Sequence, residues 1–153
     1  MRTRVPGLLI CTLLWISAAA ASDDARRADG EAGARAAMTA FMQAFNAKDE
    51  AAWADSLVFP HVRFASGTVA VYPDREAFMQ GTDMDNFARD NNWGHSTWDD
   101  IKLIQSGANK VHFTVTFSRY RPNGEVYATF DSLYVVERVD GRWGIRARSS
   151  FAP

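Results

Sequence analysis

Cysteine is almost missing from this 153-residue chain: Cys11 is the only one, and it lies in an apolar stretch near the start. Everything after it is therefore closed to disulfides, thiol nucleophiles and cysteine metal sites. Histidine is scarce too. His61, His95 and His112 show neither i, i+4 nor His-x-His spacing, so no metal site is expected. A large charge of one sign is also lacking. The formal net charge is −1, with 17 basic against 18 acidic residues, and this gives no electrostatic case for nucleic acid. There is no nucleophile elbow, no phosphate-binding loop and no dinucleotide fingerprint, so no cofactor is expected. No internal repeat is visible, and the length suits one domain.

What is there begins with a cationic start, Met1-Arg2-Thr3-Arg4, followed by an uncharged stretch from Val5 to Ala21. Its greasy part runs from Leu8 to Ile16 and gives way to small residues, Ser17 to Ala21. This is the pattern of a cleavable secretory signal, with cleavage after Ala19 to Ala21. A membrane anchor is the competing reading, but a spanning helix needs about 20 strongly apolar residues and this run is shorter. The expected division is a signal peptide over 1–21, a flexible leader over 22–33 and one domain over 34–153. The expected location is periplasmic or extracellular, with no membrane contact after cleavage. Loss of Arg2 and Arg4 takes the net charge from −1 to −3.

The leader, SDDARRADGEAG, is polar and punctuated by glycine. A first helix is predicted over about 31–47, because Ala37, Met38, Phe41, Met42 and Phe45 form one helical stripe. A short second helix, about 50–56, carries Trp53 and can be capped by Asp49. Pieces 61–65 and 68–72 read as short strands around Gly67. A third helical region, about 74–89, is broken at Gly81-Thr82. After Trp93 long strands take over, at about 95–105, 111–121, 125–139 and 142–151. Asn123-Gly124 and Asp140-Gly141 between alternating runs are strong hairpin signals. Helices first and an antiparallel meander afterwards means α+β, with the helices on one sheet face.

Turn geometry fixes register. If both dipeptides form two-residue loops, Phe117 faces Phe130, Phe113 faces Tyr134, and Val136 faces Ile145. By the same rule Tyr134 faces Ala147, Ser132 faces Ser149 and Phe130 faces Phe151. One face then gathers Val111, Phe113, Val115, Phe117, Trp143 and Ile145 as core. The other carries Tyr120, Tyr127, Asp131, Leu133, Val135, Arg146 and Arg148. The core face has intruders. A buried cation without a partner is very costly, so Arg119 either sits at the rim in water or points into a polar or ligand-filled cavity. Ser132 and Ser149 read as small core residues bonded to backbone, or as pocket hydroxyls. The buried hydroxyl of Tyr134 needs a partner from protein, water or ligand.

The segments MTAFMQAFNAKDEAAWADSL, HVRFASGTVAVYPDREAF and VHFTVTFSRYRPNGEVYATFDSLYVVERVDGRWGIRARSSF together resemble the nuclear transport factor 2-like superfamily, which includes SnoaL-like cyclases and ketosteroid isomerases. The resemblance implies N-terminal helices packed on a strongly curved antiparallel meander, a cone-shaped barrel in a single domain. It implies an apolar pocket with a few converging polar groups. The positions placed there are Trp53, His61, Phe64, Trp93, His95, Phe117, Arg119, Ser132, Tyr134 and Ser149. It also implies a homodimer through the outer sheet face, where Tyr120, Tyr127, Leu133, Val135, Arg146 and Arg148 would lie.

Fold alone does not fix function here. Ketosteroid-isomerase chemistry needs a carboxylate base, and the matching segment, Phe64-Ala65-Ser66, has none, while Asp131 falls on the outer face. Three readings stay open. The first is an exported domain that binds a small hydrophobic or cyclic molecule. The second is a small lyase, cyclase or isomerase using His61 or His95 as acid and base, with Arg119 or Tyr134 steadying an oxyanion. The third is a dimeric interaction module whose cone is only a core.

Overall fold

The computed structural model describes residues 11–152. Ten elements follow one another: α1 (Cys11–Ala47), α2 (Glu50–Asp55), β1 (Leu57–Ala65), β2 (Thr68–Tyr72), α3 (Arg75–Gln80), α4 (Met84–Asp90), β3 (His95–Ser106), β4 (Lys110–Tyr120), β5 (Val126–Val139) and β6 (Arg142–Ser150). The break expected at Gly81-Thr82 separates α3 from α4. Three of the helices start on an aspartate that accepts from the amide three residues on: Asp49 from Ala52, Asp74 from Ala77 and Asp83 from Asn86. Each cap satisfies an amide that the first helical turn would leave bare.

One six-stranded sheet has the order β2-β1-β6-β5-β4-β3. The last four strands form the predicted antiparallel meander. The sheet is nonetheless mixed, because β1 runs parallel to β6, with Leu57 beside Ile145 and Val62 beside Ala147. The hairpin β1–β2 turns on Ser66 and Gly67, both at positive φ (59° and 69°), the pair a tight primed turn requires.

Helix α1 lies across the concave face. Ala34, Met38 and Phe41 on its inner stripe are 0%, 0% and 3% exposed, and they pack over Val111, Phe113, Val136 and Ile145, all in one core cluster. Asn46 holds the helix end to β3, donating to the Ser96 carbonyl at 2.9 Å and accepting from its amide at 2.8 Å. The helix begins well before residue 31. Residues 22–33, expected as a flexible leader, continue it and touch the β3–β4 turn. Ser106 Oγ donates to the Arg27 carbonyl at 3.0 Å, and a Cβ on Gly30 would lie 2.4 Å from the Gly107 carbonyl oxygen. Glycine is what allows that approach. Of the expected signal peptide, residues 1–10 lie outside the described residues, and residues 11–21 are helical. Among the described residues, no helix is long and apolar enough to cross a membrane.

The register departs from expectation at two bulges, and each moves a side chain into the cone. The β4–β5 loop has three residues: Arg121 N donates to Glu125 O at 2.8 Å, and Gly124 takes φ 86°. Tyr120 then pairs with Val126, Tyr127 is the extra residue, and Arg119 pairs with Ala128 as expected. Tyr127 therefore leaves the outer face and packs against the core cluster, while Val126 is 48% exposed. In β6, Val136 pairs with Ile145 as predicted, but Val135 pairs with Ala147, so Arg146 is extra. Beyond it every side chain changes sides. Tyr134 pairs with Arg148 and Leu133 with Ser149. Arg148, assigned to the outer face, turns inward. Ser149, assigned to the pocket, is exposed, and Phe151, assigned to the core, is 85% exposed.

Candidate functional site

The wide half of the cone holds a cavity of about 260 Å³ beneath α3 and α4. A smaller void of about 30 Å³, lined by Phe41, Trp98, Phe117 and Tyr134, lies deeper; both border Phe45, Arg119 and Arg148. The aromatic walls come from helices. Phe45 near the end of α1 meets Trp53 of α2 edge to face, with centroids 4.9 Å apart, and Trp53 meets Phe78 of α3 at 5.1 Å. Phe87 of α4 completes the ring against Phe45 at 5.6 Å. The α3–α4 link, residues 81–83, borders the cavity with Thr82 and Asp83.

Strands supply the polar side. Arg63 of β1, Arg119 of β4 and Arg148 of β6 all border the larger cavity. Arg119 is only 8% exposed. Its guanidinium lies over the rings of Phe87 and Phe130 at 5.1 Å each, and over Phe117 at 5.8 Å. Arg148 lies over Phe41 at 5.4 Å and Trp53 at 5.6 Å. Among the described residues none of the three has an ion pair. Nε of Arg119, Nε of Arg148, Nε1 of Trp53 and the hydroxyl of Tyr127 are buried without a hydrogen-bond partner. Burial pushes the Arg119 guanidinium below its ordinary range; the neighbouring Tyr127 hydroxyl favours its charge and Arg148 opposes it. Burial, then the charge of Arg148, does the same to Arg63, and Arg119 adds to it. Guanidinium groups remain protonated regardless, so the cone carries three mutually repelling cations.

The residues singled out from the sequence divide. Trp53, Phe117, Arg119 and Tyr134 border the cavities, with Arg119 and Tyr134 on the same side of the sheet. Trp93 is core, its Nε1 donating to Ser96 Oγ at 2.9 Å. Ser132 is buried and donates to Ser150 Oγ at 2.7 Å, away from the cavity. Phe64 lines a separate open depression at the sheet edge, with Val69 and Phe151. His95 is exposed and stacks on Tyr120, with centroids 4.4 Å apart. His61 is 1% exposed and packs against Tyr72 and Phe78 behind the cavity wall. Its Nδ1–H donates to the Ile145 carbonyl at 3.0 Å, which leaves Nε2 as a buried lone pair without a partner. Burial, reinforced by Arg148, holds its pKa at about 4. Asp131 sits on the outer face, accepting from Thr116. No group of three His, Cys, Asp or Glu side chains among the described residues could hold a metal ion.

Sequence reasoning missed Arg63 and Arg148. Strand alternation could have found Arg63, which shares a face with His61 two residues before it. No sequence signal marks the bulge that turns Arg148 inward.

A sequence model described as NTF2-like protein (DUF6841) matches residues 29–151. Among solved structures the chain is similar to an NTF2-like protein with a cystatin-like fold from Novosphingobium aromaticivorans, at TM-score 0.65 and 10% identity, covering 95% of this chain and 92% of that one. It is similar to a ketosteroid isomerase-like protein from Erwinia carotovora atroseptica, at TM-score 0.57 and 20% identity over 80% of this chain and 96% of that one. A protein of unknown function with a cystatin-like fold from Nostoc punctiforme gives TM-score 0.65 and 9% identity over 80% and 90%. At such identities the likeness speaks to fold alone. No curated protein matches the chain by sequence.

Proposed function

Given that the chain belongs to the NTF2-like family DUF6841, we propose that it is an exported domain whose cone binds a small organic molecule. The observation that carries this reading is the cavity itself: about 260 Å³, walled by Phe45, Trp53, Phe78 and Phe87, with buried N–H groups that no atom of the described residues accepts from. Buried polar groups are almost always hydrogen-bonded, and aromatic walls with a few converging polar groups are the usual make-up of a ligand pocket. The volume lies near the small end of the roughly 300–1,000 Å³ range of such pockets, which favours a compact ligand.

Acid–base catalysis by histidine has less support. His95 faces solvent, and His61 has a pKa near 4, so it is a weak base at neutral pH and is screened from the cavity by its aromatic neighbours. The dimer reading loses Tyr127 and Arg148 from its surface and retains Tyr120, Leu133, Val135 and Arg146. Sedimentation of the purified protein tests it, and a monomer at all concentrations removes it.

Thr82 borders the cavity from the α3–α4 link, so Thr82→Trp fills the space without touching the core. Mass spectrometry of small molecules released from the purified protein should find a compound that Thr82→Trp no longer carries. Titration of wild type with aromatic compounds should change Trp53 fluorescence. Identical ligand content and response in the plugged variant would contradict binding in the cone. Export is tested separately: intact mass of protein recovered outside the cytoplasm should show a start between residues 20 and 22, and an uncut chain refutes it.

A further inference from the structure

We infer that the molecule held in the cone is a small organic monocarboxylic acid, bound as its anion with the carboxylate on the arginines and an apolar body against the aromatic walls. This rests on the ligand-binding reading above and narrows it to a chemical class.

Several arginines outside the cone have partners. Arg35 pairs with Glu31 at 2.8 Å, Arg75 with Asp55 at 2.7 Å, and Arg146 with Glu137 at 2.8 Å. Arg142 donates to the carbonyls of Asp55 and Leu57 at 2.6 and 2.8 Å. Arg35 and Arg75 are about half exposed, where pairing matters least. Among the described residues the three that border the cavity have no ion pair. Arg35, Arg75, Arg142 and Arg146 thus have protein acceptors, while Nε of Arg119, the one buried arginine among the described residues, has none.

Aromatic contacts do not close this account. A ring face attracts the guanidinium charge but is not a carboxylate-like acceptor for its five N–H donors. Phe87, Phe117 and Phe130 lie 5.1 to 5.8 Å from the Arg119 guanidinium carbon, and its Nε–H has no acceptor among the described residues. Arg148, under Phe41 and Trp53, is in the same condition. Trp53 Nε1 adds another donor. The one carboxylate among the cavity's lining residues, Asp83, caps α4, accepting from Asn86 N at 2.7 Å and Asn86 Nδ2 at 2.5 Å. The site is rich in donors and positively charged, and its acceptors are the Tyr127 hydroxyl beside Arg119 and the already engaged Asp83. The occupant that fits is an acceptor-only anion.

Three features select a carboxylate on an apolar body. The donors are guanidinium forks, which match the planar two-oxygen edge of a carboxylate. The remaining wall is aromatic and gives a fully polar anion nothing to replace its hydration. The cavity is compact, which suits one charged group and a short body.

The test uses calorimetric titration of the purified protein with benzoate, phenylacetate, 3-phenylpropionate and octanoate. Each is set against its neutral amide, with phenyl phosphate as the competing anion. At least one acid should bind tenfold or more tightly than its amide. Arg119→Met and Arg148→Met should each weaken that acid at least tenfold and leave the amide within about twofold. Near-ultraviolet circular dichroism checks that the variants keep the native core; should one fail, the other and Arg63→Met carry the comparison. Amides binding as well as acids, phenyl phosphate outbinding every acid, or variants that bind the acid undiminished would each overturn the inference. If neutral compounds bind and acids do not, the cone remains a ligand site and only the charge assignment falls. If neither acids nor amides bind and no compound is released on denaturation, both readings fall together.

Discussion

The two halves of the cone are built from the same strands and follow opposite rules. In the narrow half, Val111, Phe113, Val136 and Ile145 are all 0% exposed and close under Ala34 and Met38, and the one cation against them, Arg35 over Phe113 at 5.1 Å, is paired with Glu31. In the wide half, the inward positions of β4 and β6 carry Arg119 and Arg148. Desolvating a cation costs several kcal/mol even after relaxation, whereas a cation–π contact returns about 0.5–2 kcal/mol. The three rings around Arg119 offset much of that cost, but none of them accepts its Nε–H. A chain can keep such a conflict when something outside the chain resolves it. Places where a fold breaks its own packing rule are where function is expected.

Substitutions in each half test the contrast. The largest effect should fall in the narrow half. Phe113→Ala should destabilise the protein by about 4 kcal/mol in denaturant unfolding, as a large deletion at a fully packed site. A loss under about 1 kcal/mol would mean that half is not close-packed.

His61 stands between the halves, and its effect depends on pH. Its folded pKa is about 4 against an ordinary 6.5. The unfolded chain takes up the proton first as pH falls, so the stabilising contribution is complete above about pH 6.5 and is lost down to about pH 4, with little further change below. The lost stability is about 3 kcal/mol. The charges facing it are those of Arg148 and Arg146. Unfolding measured from pH 7 to 4 should show this fall in wild type and not in His61→Gln; parallel curves for the two proteins would remove it.

A smaller effect is expected where α1 covers the narrow half. A Cβ on Gly33 would come within 2.2 Å of Trp143 Nε1. Gly33→Ala gains about 1 kcal/mol in helix propensity and loses about 1–3 kcal/mol to overpacking. The net loss of about 1 kcal/mol should appear as a lower unfolding midpoint, and a stabilised variant would show that α1 is not docked there. Smallest of all is Phe151→Ser, at a side chain 85% exposed: stability should stay within about 0.5 kcal/mol. A loss of core size would restore the uninterrupted β6 register.

Most of the fold was legible, because periodicity and turn residues are local signals. The stripe from Ala37 to Phe45, the Asp-Gly turn and the alternation from Val111 to Arg119 led to the helix, the meander and the pairing of Phe113 with Tyr134. The site was less legible, because it depends on two extra residues that leave no mark in composition. Tyr127 and Arg146 look like ordinary members of alternating strands. Only the pairing with a neighbouring strand shows that one partner is missing. The slip at Arg146 then exchanged Arg148 for Ser149 in the pocket. Arg119 was visible because no bulge lies between it and the Phe117–Phe130 pair. Arg63 was visible in principle, since alternation ties it to His61. His95 misled because its place at a strand start says nothing of the side it faces.

The most direct measurement is the thermal midpoint of ligand-free Arg119→Met beside wild type. If Arg119 is held inside at a cost the chain does not recover alone, the apolar replacement of similar length should unfold at the same temperature or higher. A midpoint several degrees lower would show that the arginine is a structural part of the packing, and the contrast between the two halves of the cone would be lost.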